Sequence, residues 1–340
     1  MSRRPLCAPA FLLPLLTLLL VSTGCAERVA PPAAVTIPVF TDVNLHFTPD
    51  EPTRYDTDRV FARDNGRVMA TVCELPGRIG PRRLVLKLAL RPVPVDERNV
   101  ADRWDRAGSV RLVQPGRDPV ELCRFMTSYG GATDHEVDVT HLAPLLQGRC
   151  EFEIFLDTWV SPAWTASVAL VSEPVPAGGV IVPAWASGAV FPDGGLTAES
   201  PRAEAVVDVP AGVRLLRVAA ISTGHCTDGR DADEFESKDN VLYLDGVEVA
   251  RWQPWRDDCG ELRAVNPYCA KWTDGMWSSD YSRSGWCPGD VARPRFIDLP
   301  AVAPGPHVLA WEVEDIRPAL PDDPEHHHGY WRVSAAVFGR

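Results

Sequence analysis

The chain is a succession of short runs in which apolar and polar residues alternate, each closed by proline, glycine or another turn former. Glu151-Phe152-Glu153-Ile154-Phe155 is the clearest case. A period of two sets one side of an extended strand against a core and the other in water. Comparable β-rich runs occupy 84–90, 109–113, 136–140, 150–156, 167–171, 204–209, 213–221, 241–244, 307–313 and 331–338. Only 141–147 reads as a helical turn or two. Long helical patterns between the strands would be needed for parallel βαβ units and are absent, so antiparallel sandwiches or jelly rolls are expected.

Length and charge narrow the possibilities further. A chain of 340 residues predicts two domains, each large enough for its own core. The Pro/Gly-rich stretch Glu173-Pro174-Val175-Pro176-Ala177-Gly178-Gly179 divides it nearly in half. The expected organisation is a 1–25 signal peptide, a 26–38 tether, a 39–173 domain, a 174–182 linker and a 183–340 domain. The net charge of −12 is spread along the chain, which argues against nucleic acid and anionic membrane surfaces as partners.

Arg3 and Arg4 precede an apolar stretch over 11–21, too short to cross a bilayer and suited to a signal peptide. The chain is therefore expected to be exported. Ser22-Thr23-Gly24-Cys25 reads as a lipobox with Ser22 where leucine is usual. A diacylated Cys25, which would tether the protein stably to a membrane, is favoured over simple cleavage near Ala26. Seven cysteines follow: Cys73, Cys123, Cys150, Cys226, Cys259, Cys269 and Cys287. Export permits disulfides, and the spacings match no zinc pattern.

Between Arg251 and Cys287 lie Trp252, Trp255, Trp272, Trp277 and Trp286, among charges and without strand periodicity. Such a loop either carries function or is its own small core. Indole faces beside polar groups suit carbohydrate. No Gly-x-Ser-x-Gly elbow, phosphate loop or His-Glu-x-x-His is present. Three carboxylates stand out instead: Asp105 before the run at 109–113, Asp157 after that at 150–156, and Glu234 in the acidic stretch 228–236. Acids that converge beside aromatic rings and an arginine have their pKa values driven apart, which lets one of them carry a proton near neutrality.

Several strings carry a resemblance. Trp104-Asp105-Arg106, Arg124-Phe125-Met126-Thr127-Ser128-Tyr129, Asp157-Thr158-Trp159, Ile221-Ser222-Thr223-Gly224-His225, Asn266-Pro267 and Arg283-Ser284-Gly285-Trp286-Cys287-Pro288-Gly289 occur in this order. They resemble the motifs of the bacterial peptide-N-glycosidase F amidases from about residue 80 to the C-terminus. The resemblance implies an all-β chain of two adjacent eight-stranded antiparallel jelly rolls with a site in the cleft between them. It also implies hydrolysis of the amide joining N-acetylglucosamine to asparagine in N-linked glycopeptides or glycoproteins, by a monomer using no metal or cofactor.

By the same resemblance Asp105 matches the primary catalytic aspartate and Glu234 a supporting glutamate, with Asp157 in place of a second glutamate one methylene longer. Arg106, Trp159 and Arg283 match residues lining the sugar site, and Trp104, His225, Phe235 and Trp286 join them at the substrate. Phe235 and Thr223 stand where the family has tryptophan. Two small-loop disulfides of the family, around Asp102 and Glu234, are missing. Cys259 with Cys287 is implied as the retained bridge, and Cys226 with Cys269 is expected as a new one. Two other readings remain: a glycan-binding or adhesion protein without turnover, and a copper monooxygenase of the same double jelly-roll architecture, for which His326-His327-His328 would be the candidate ligands. The acidic stretch 228–236 lacks the ordered oxygens of a calcium loop.

Overall fold

The computed structural model describes residues 33–55, 59–77, 82–175, 182–192, 194–225, 233–319 and 329–340. Expectations for the signal segment, Cys25, most of the 174–182 linker, Cys226, the front of the acidic stretch and the histidine run fall outside these residues. Residues 33–340 form one compact unit. No helix among the described residues is long and apolar enough to cross a membrane.

The fold is all β, with two sandwiches built from antiparallel sheets. In the first, strands Val35–Leu45, Trp164–Pro174, Arg82–Pro92 and Thr133–Asp138 form one sheet in that order. The facing sheet runs Val291–Ala292, Val120–Met126, Ala107–Val113, Gly148–Leu156, Val68–Leu75, Val60–Arg63 and Arg54–Tyr55. Its first strand comes from the second half of the sequence, so the C-terminal half extends a sheet of the N-terminal half. The second sandwich packs Trp185–Gly188, Tyr330–Gly339, Leu216–His225 and Arg295–Asp298 against Arg202–Val209, Gly305–Val313, Asn240–Leu244 and Val247–Trp252.

Alternation decides which faces are buried. In Gly148–Leu156, Cys150, Phe152, Ile154 and Leu156 point inward, and the glutamates between them are half-buried. They join Phe40, Leu86, Leu88, Phe125 and Trp164 in the first core. Trp311, Trp331, Val218 and Val333 anchor the second. Each such side chain contributes roughly 1.5–3 kcal/mol.

The structure revises several expected bounds. Strand Val35–Leu45 begins inside the expected tether, because Val35 and Ile37 pair with Ser172 and Leu170. Pro38 is tolerated there, on an edge strand with a register shift just after it. The helical turns expected at 141–147 reduce to a 3-10 turn at Thr140–Leu142.

A buried polar joint links the sandwiches. Arg124, on the central sheet of the first, donates to both carboxylate oxygens of Glu121 at 3.0 and 2.6 Å and to Thr223 Oγ1 at 3.1 Å. It also donates to the Arg332 carbonyl and to Ser334 Oγ, which are on the second sandwich. Burial acts to raise the Glu121 pKa, but Arg124, with Ser334 and Arg111, outweighs it and holds the carboxyl below the usual range.

Candidate active site

The N-terminal wall is the loop before strand Ala107–Val113. Its chain path is fixed by side chains rather than by a helix or sheet. Thr127 Oγ1 accepts from Arg106 N at 2.7 Å and donates to the Trp104 carbonyl at 2.8 Å. Beneath it Asp102 is almost fully buried and accepts from Arg106 Nε at 2.9 Å, Thr158 Oγ1 at 2.7 Å and Trp104 N at 3.2 Å. The loop is thereby tied to the Asp157-Thr158-Trp159 turn, and Asp105 is held between two braced neighbours.

Glu234 sits in a turn of the C-terminal half, where Ser284 N donates to its carbonyl at 2.9 Å. Its neighbour Asp233 is buried and accepts from Trp331 Nε1 at 2.8 Å and Arg317 N at 3.3 Å. Asp233 thus plays on this side the part that Asp102 plays on the other.

Arg283 joins the two walls. Its side chain is 1% exposed. Nε donates to Glu234 Oε1 at 2.9 Å, and Nη2 lies 3.6 Å from Asp105 Oδ2. Its remaining donors go to the carbonyls of Tyr281 and Ser278 at 3.1 and 2.8 Å, and the guanidinium lies over the Phe235 and Trp286 rings at 5.0 and 4.9 Å. Hydrogen bonds from all three nitrogens hold the group in place as a fixed positive charge. The backbone that carries it is pinned by a two-way bridge to Arg256.

One guanidinium between two enclosed carboxyls cannot neutralise both. Burial raises the pKa of Glu234 to about 7, opposed by Arg283 and reinforced by Asp105. Asp105 is also raised, by burial against the opposing pull of Arg283 and a hydrogen bond from Tyr129. The two titrate as a pair, and near neutrality one of them keeps a proton. Asp105 Oδ2 is buried and has no hydrogen-bond partner among the described residues. The side chains of Asp105 and Glu234 retain 12% and 15% exposure.

Other expected residues take different places. Trp104 and Trp159 are exposed rings, at 61% and 59%. Trp104 meets Tyr129 edge-on, and Trp159 packs on Phe47 with Arg67 4.7 Å above its ring. Phe235 contacts Trp272 and Tyr281 edge-on. Trp286 and His225 lie underneath rather than at the surface. Trp286 Nε1 donates to the Gly224 carbonyl at 2.8 Å, and the His225 ring is stacked between Trp286 and Tyr330. Burial, with Arg332 and Arg124 nearby, keeps His225 neutral. Asp157 is not brought to the Arg283 pair: it bonds Arg332 Nη2 at 2.9 Å and lies 3.5 Å from Arg67 Nη1.

Sequence reasoning assigned no role to Tyr129, although it closes the quoted Arg124–Tyr129 string. It also placed Arg283 among sugar-lining groups rather than between the two acids. The tryptophan-rich segment does not form a core of its own: Trp252 belongs to the second sandwich core, Trp286 packs on Ala107 and Met126 of the first half, and Trp272 meets Tyr281 at 4.4 Å, tilted, beside Phe235.

Cys259 and Cys287 are disulfide-bonded. Cys269 carries a free, buried thiol, and Cys226, the partner expected for it, lies outside the described residues. Among the described residues the one cluster with metal-ligand spacing is Asp258, Cys259 and Cys287, and the bridge leaves it no thiolate.

Residues 196–338 match the family described as Peptide-N-glycosidase F, C terminal. A search of curated proteins finds no match. Among solved structures the chain is similar to PNGF-II, with 22% identity over 90% of this chain and 65% of that one and a TM-score of 0.80. It therefore spans about two thirds of PNGF-II. It is also similar to PNGase F, a glycosylasparaginase from Flavobacterium meningosepticum, with 16% identity, 91% and 96% coverage and a TM-score of 0.67. A peptide-N(4)-(N-acetyl-beta-D-glucosaminyl) asparagine amidase gives 17%, 90% and 96%, and 0.66. At these identities the likeness concerns the fold.

Proposed function

Since its residues 196–338 belong to the peptide-N-glycosidase F family and the whole described chain has that family's double jelly-roll fold, we propose that the protein is an exported amidase. Its substrate is the glycosylamide bond between asparagine and N-acetylglucosamine in N-linked glycopeptides or glycoproteins. The observation that carries this reading is the Asp105–Arg283–Glu234 group, in which acids from both halves of the chain meet around one buried guanidinium.

An amide is a poor electrophile with a poor leaving group, so water needs a base and the departing nitrogen an acid. Asp105 fits both duties: its Oδ2 lacks a partner, and burial keeps its proton affinity above that of an ordinary carboxylate. It takes a proton as water adds to the asparagine side-chain carbonyl and returns one to the glycosyl nitrogen as the C–N bond breaks. The products are aspartate on the peptide and a glycosylamine. Glu234 orients water and sugar. Arg283 lies between the two acids and offsets part of the cost of burying them. Arg106, braced by Asp102, supplies a second positive charge beside developing negative charge. Trp104 and Trp159 offer exposed rings for the sugar.

Incubation with an N-glycopeptide tests this directly. Conversion of asparagine to aspartate, a mass gain of about one dalton, is expected, and Asp105→Asn should abolish it while leaving the fold intact. A second reading, glycan capture without turnover, is favoured by one observation: Asp157 is held by Arg332 and Arg67 and is absent from the acid pair. Binding of the glycopeptide with no mass change would establish that reading instead.

A further inference from the structure

We propose that Cys73 and Cys150 form a second disulfide, joining adjacent strands at one end of the first sandwich. The two face each other directly across the antiparallel pair of Val68–Leu75 and Gly148–Leu156. Both point to the same side of the sheet. Cys150 shares the inward set with Phe152, Ile154 and Leu156, and Cys73 lies at period two with buried Met69, Thr71 and Leu75. Residues opposite one another in such a ladder have Cα atoms about 4.5 or 5.5 Å apart, depending on whether they exchange hydrogen bonds. Either value lies inside the roughly 4.4–6.8 Å range that a disulfide spans. The Cys259–Cys287 bridge has a Cα separation of 5.2 Å, between those two values.

Little holds the thiols in their present directions. Cys73 Sγ reaches the Pro38 carbonyl at 4.0 Å, and Cys150 Sγ reaches the carbonyls of Leu145 and Gln147 at 3.7 and 3.6 Å. A thiol is a weak donor, so side-chain rotation toward the partner gives up little. Access is uneven. Cys150 is buried, whereas Cys73 is half-buried and lines an open groove of about 770 Å³ with Pro38, Arg59, Arg63 and Glu74. Cys73 is thus the entry point for a small-molecule disulfide such as oxidised glutathione. Its thiolate attacks one sulfur and releases glutathione thiolate, which takes up a proton. Cys150, after losing its proton, attacks the Cys73 sulfur of the mixed disulfide and expels the second glutathione. Two thiols are oxidised by two electrons, and one glutathione disulfide becomes two thiols. Cys123 provides contrast, since it is buried and faces Val110 across its ladder.

The inference is independent of the amidase reading, and so is its test. The purified full chain is equilibrated with oxidised glutathione, denatured, alkylated with iodoacetamide without reduction, and digested. A Cys73–Cys150 linked peptide, two hydrogens lighter than its parts and cleaved by reductant, is expected alongside Cys259–Cys287, with Cys123 alkylated. If Cys259–Cys287 is linked while Cys73 and Cys150 carry alkyl groups or glutathione, the proposal is overturned. Closing so long a loop should also make the oxidised protein melt on the order of 5–10 °C above Cys150→Ala treated identically. Equal melting temperatures would count equally against it.

Discussion

At Glu234 the protein does something unusual with a carboxyl: it encloses one within reach of a second acid and supplies a single cation for both. Because burial lifts its pKa to about 7, the folded state binds a proton that the unfolded chain has already released. Stability therefore falls as pH rises from the ordinary glutamate value through about 7, and levels above it. Asp105, also raised, adds to the same slope. Urea midpoints should accordingly drop between about pH 5 and pH 7.5, and Glu234→Gln should flatten the drop; an unchanged slope would show that the proton resides elsewhere. Arg283 invites the complementary test. Arg283→Gln leaves two enclosed acids without their cation and should cost about 3–5 kcal/mol. Arg283→Lys keeps the charge without the planar fork that reaches both acids and two carbonyls. It should regain much of the stability but little of the turnover, as separate melting and glycopeptide assays would show.

Elements differ in how plainly the sequence announces them. Gly148–Leu156 was legible because one face meets the core and the other is only half-covered. Val120–Met126 gave no such signal, since all seven of its residues are buried and no alternation survives. Leu216–His225 is covered on both faces for most of its length, and its expected span began early at 213 because Val213 and Leu215 are apolar although they precede the strand, Leu215 as an exposed side chain. Asp105 and Glu234 were found through strand-end placement and motif resemblance. That they meet between the halves was implied by the resemblance, whereas the place of Arg283 between them was not legible, because it depends on two loops from opposite halves. Those loops owe their shape to buried carboxylates, Asp102 under one and Asp233 under the other, at the two places where the resemblance implied missing bridges. Asp102→Ala strips the partner from Arg106 Nε, Thr158 Oγ1 and Trp104 N together. A loss of about 3–5 kcal/mol is expected, together with a fall in kcat that exceeds any rise in KM, because the loop carrying Asp105 loosens. Asp102→Asn keeps an acceptor for Thr158 or Trp104 and should lose less on both counts. If Asp102→Ala melts normally, the loop is held by something else.

On the scale of the whole molecule, a site assembled from both halves works only while the halves keep register, and the Arg124–Glu121 pair occupies the place where that register is set. Arg124 belongs to the first sandwich by its strand, yet it donates to Thr223, Ser334 and the Arg332 carbonyl of the second. The strand Val291–Ala292 crosses the same boundary in the opposite sense, pairing with Phe125 and Arg124 themselves. Arg124→Leu removes the cation bonded to Glu121 and leaves that buried carboxyl with only Arg111 and Ser334 to compensate it. Breaking a buried pair in this way costs about 3–5 kcal/mol, whereas replacing both members by apolar residues is often neutral. The single variant should therefore unfold in two calorimetric steps where the wild type shows one, and should lose glycopeptide turnover below the first. The double variant Arg124→Leu/Glu121→Leu should regain much of the melting temperature. It cannot regain the hydrogen bonds to the second sandwich, so turnover should stay low even where stability returns. Recovery of both would mean that apolar contact alone aligns the halves, and that Arg124 stabilises the first sandwich without positioning the second.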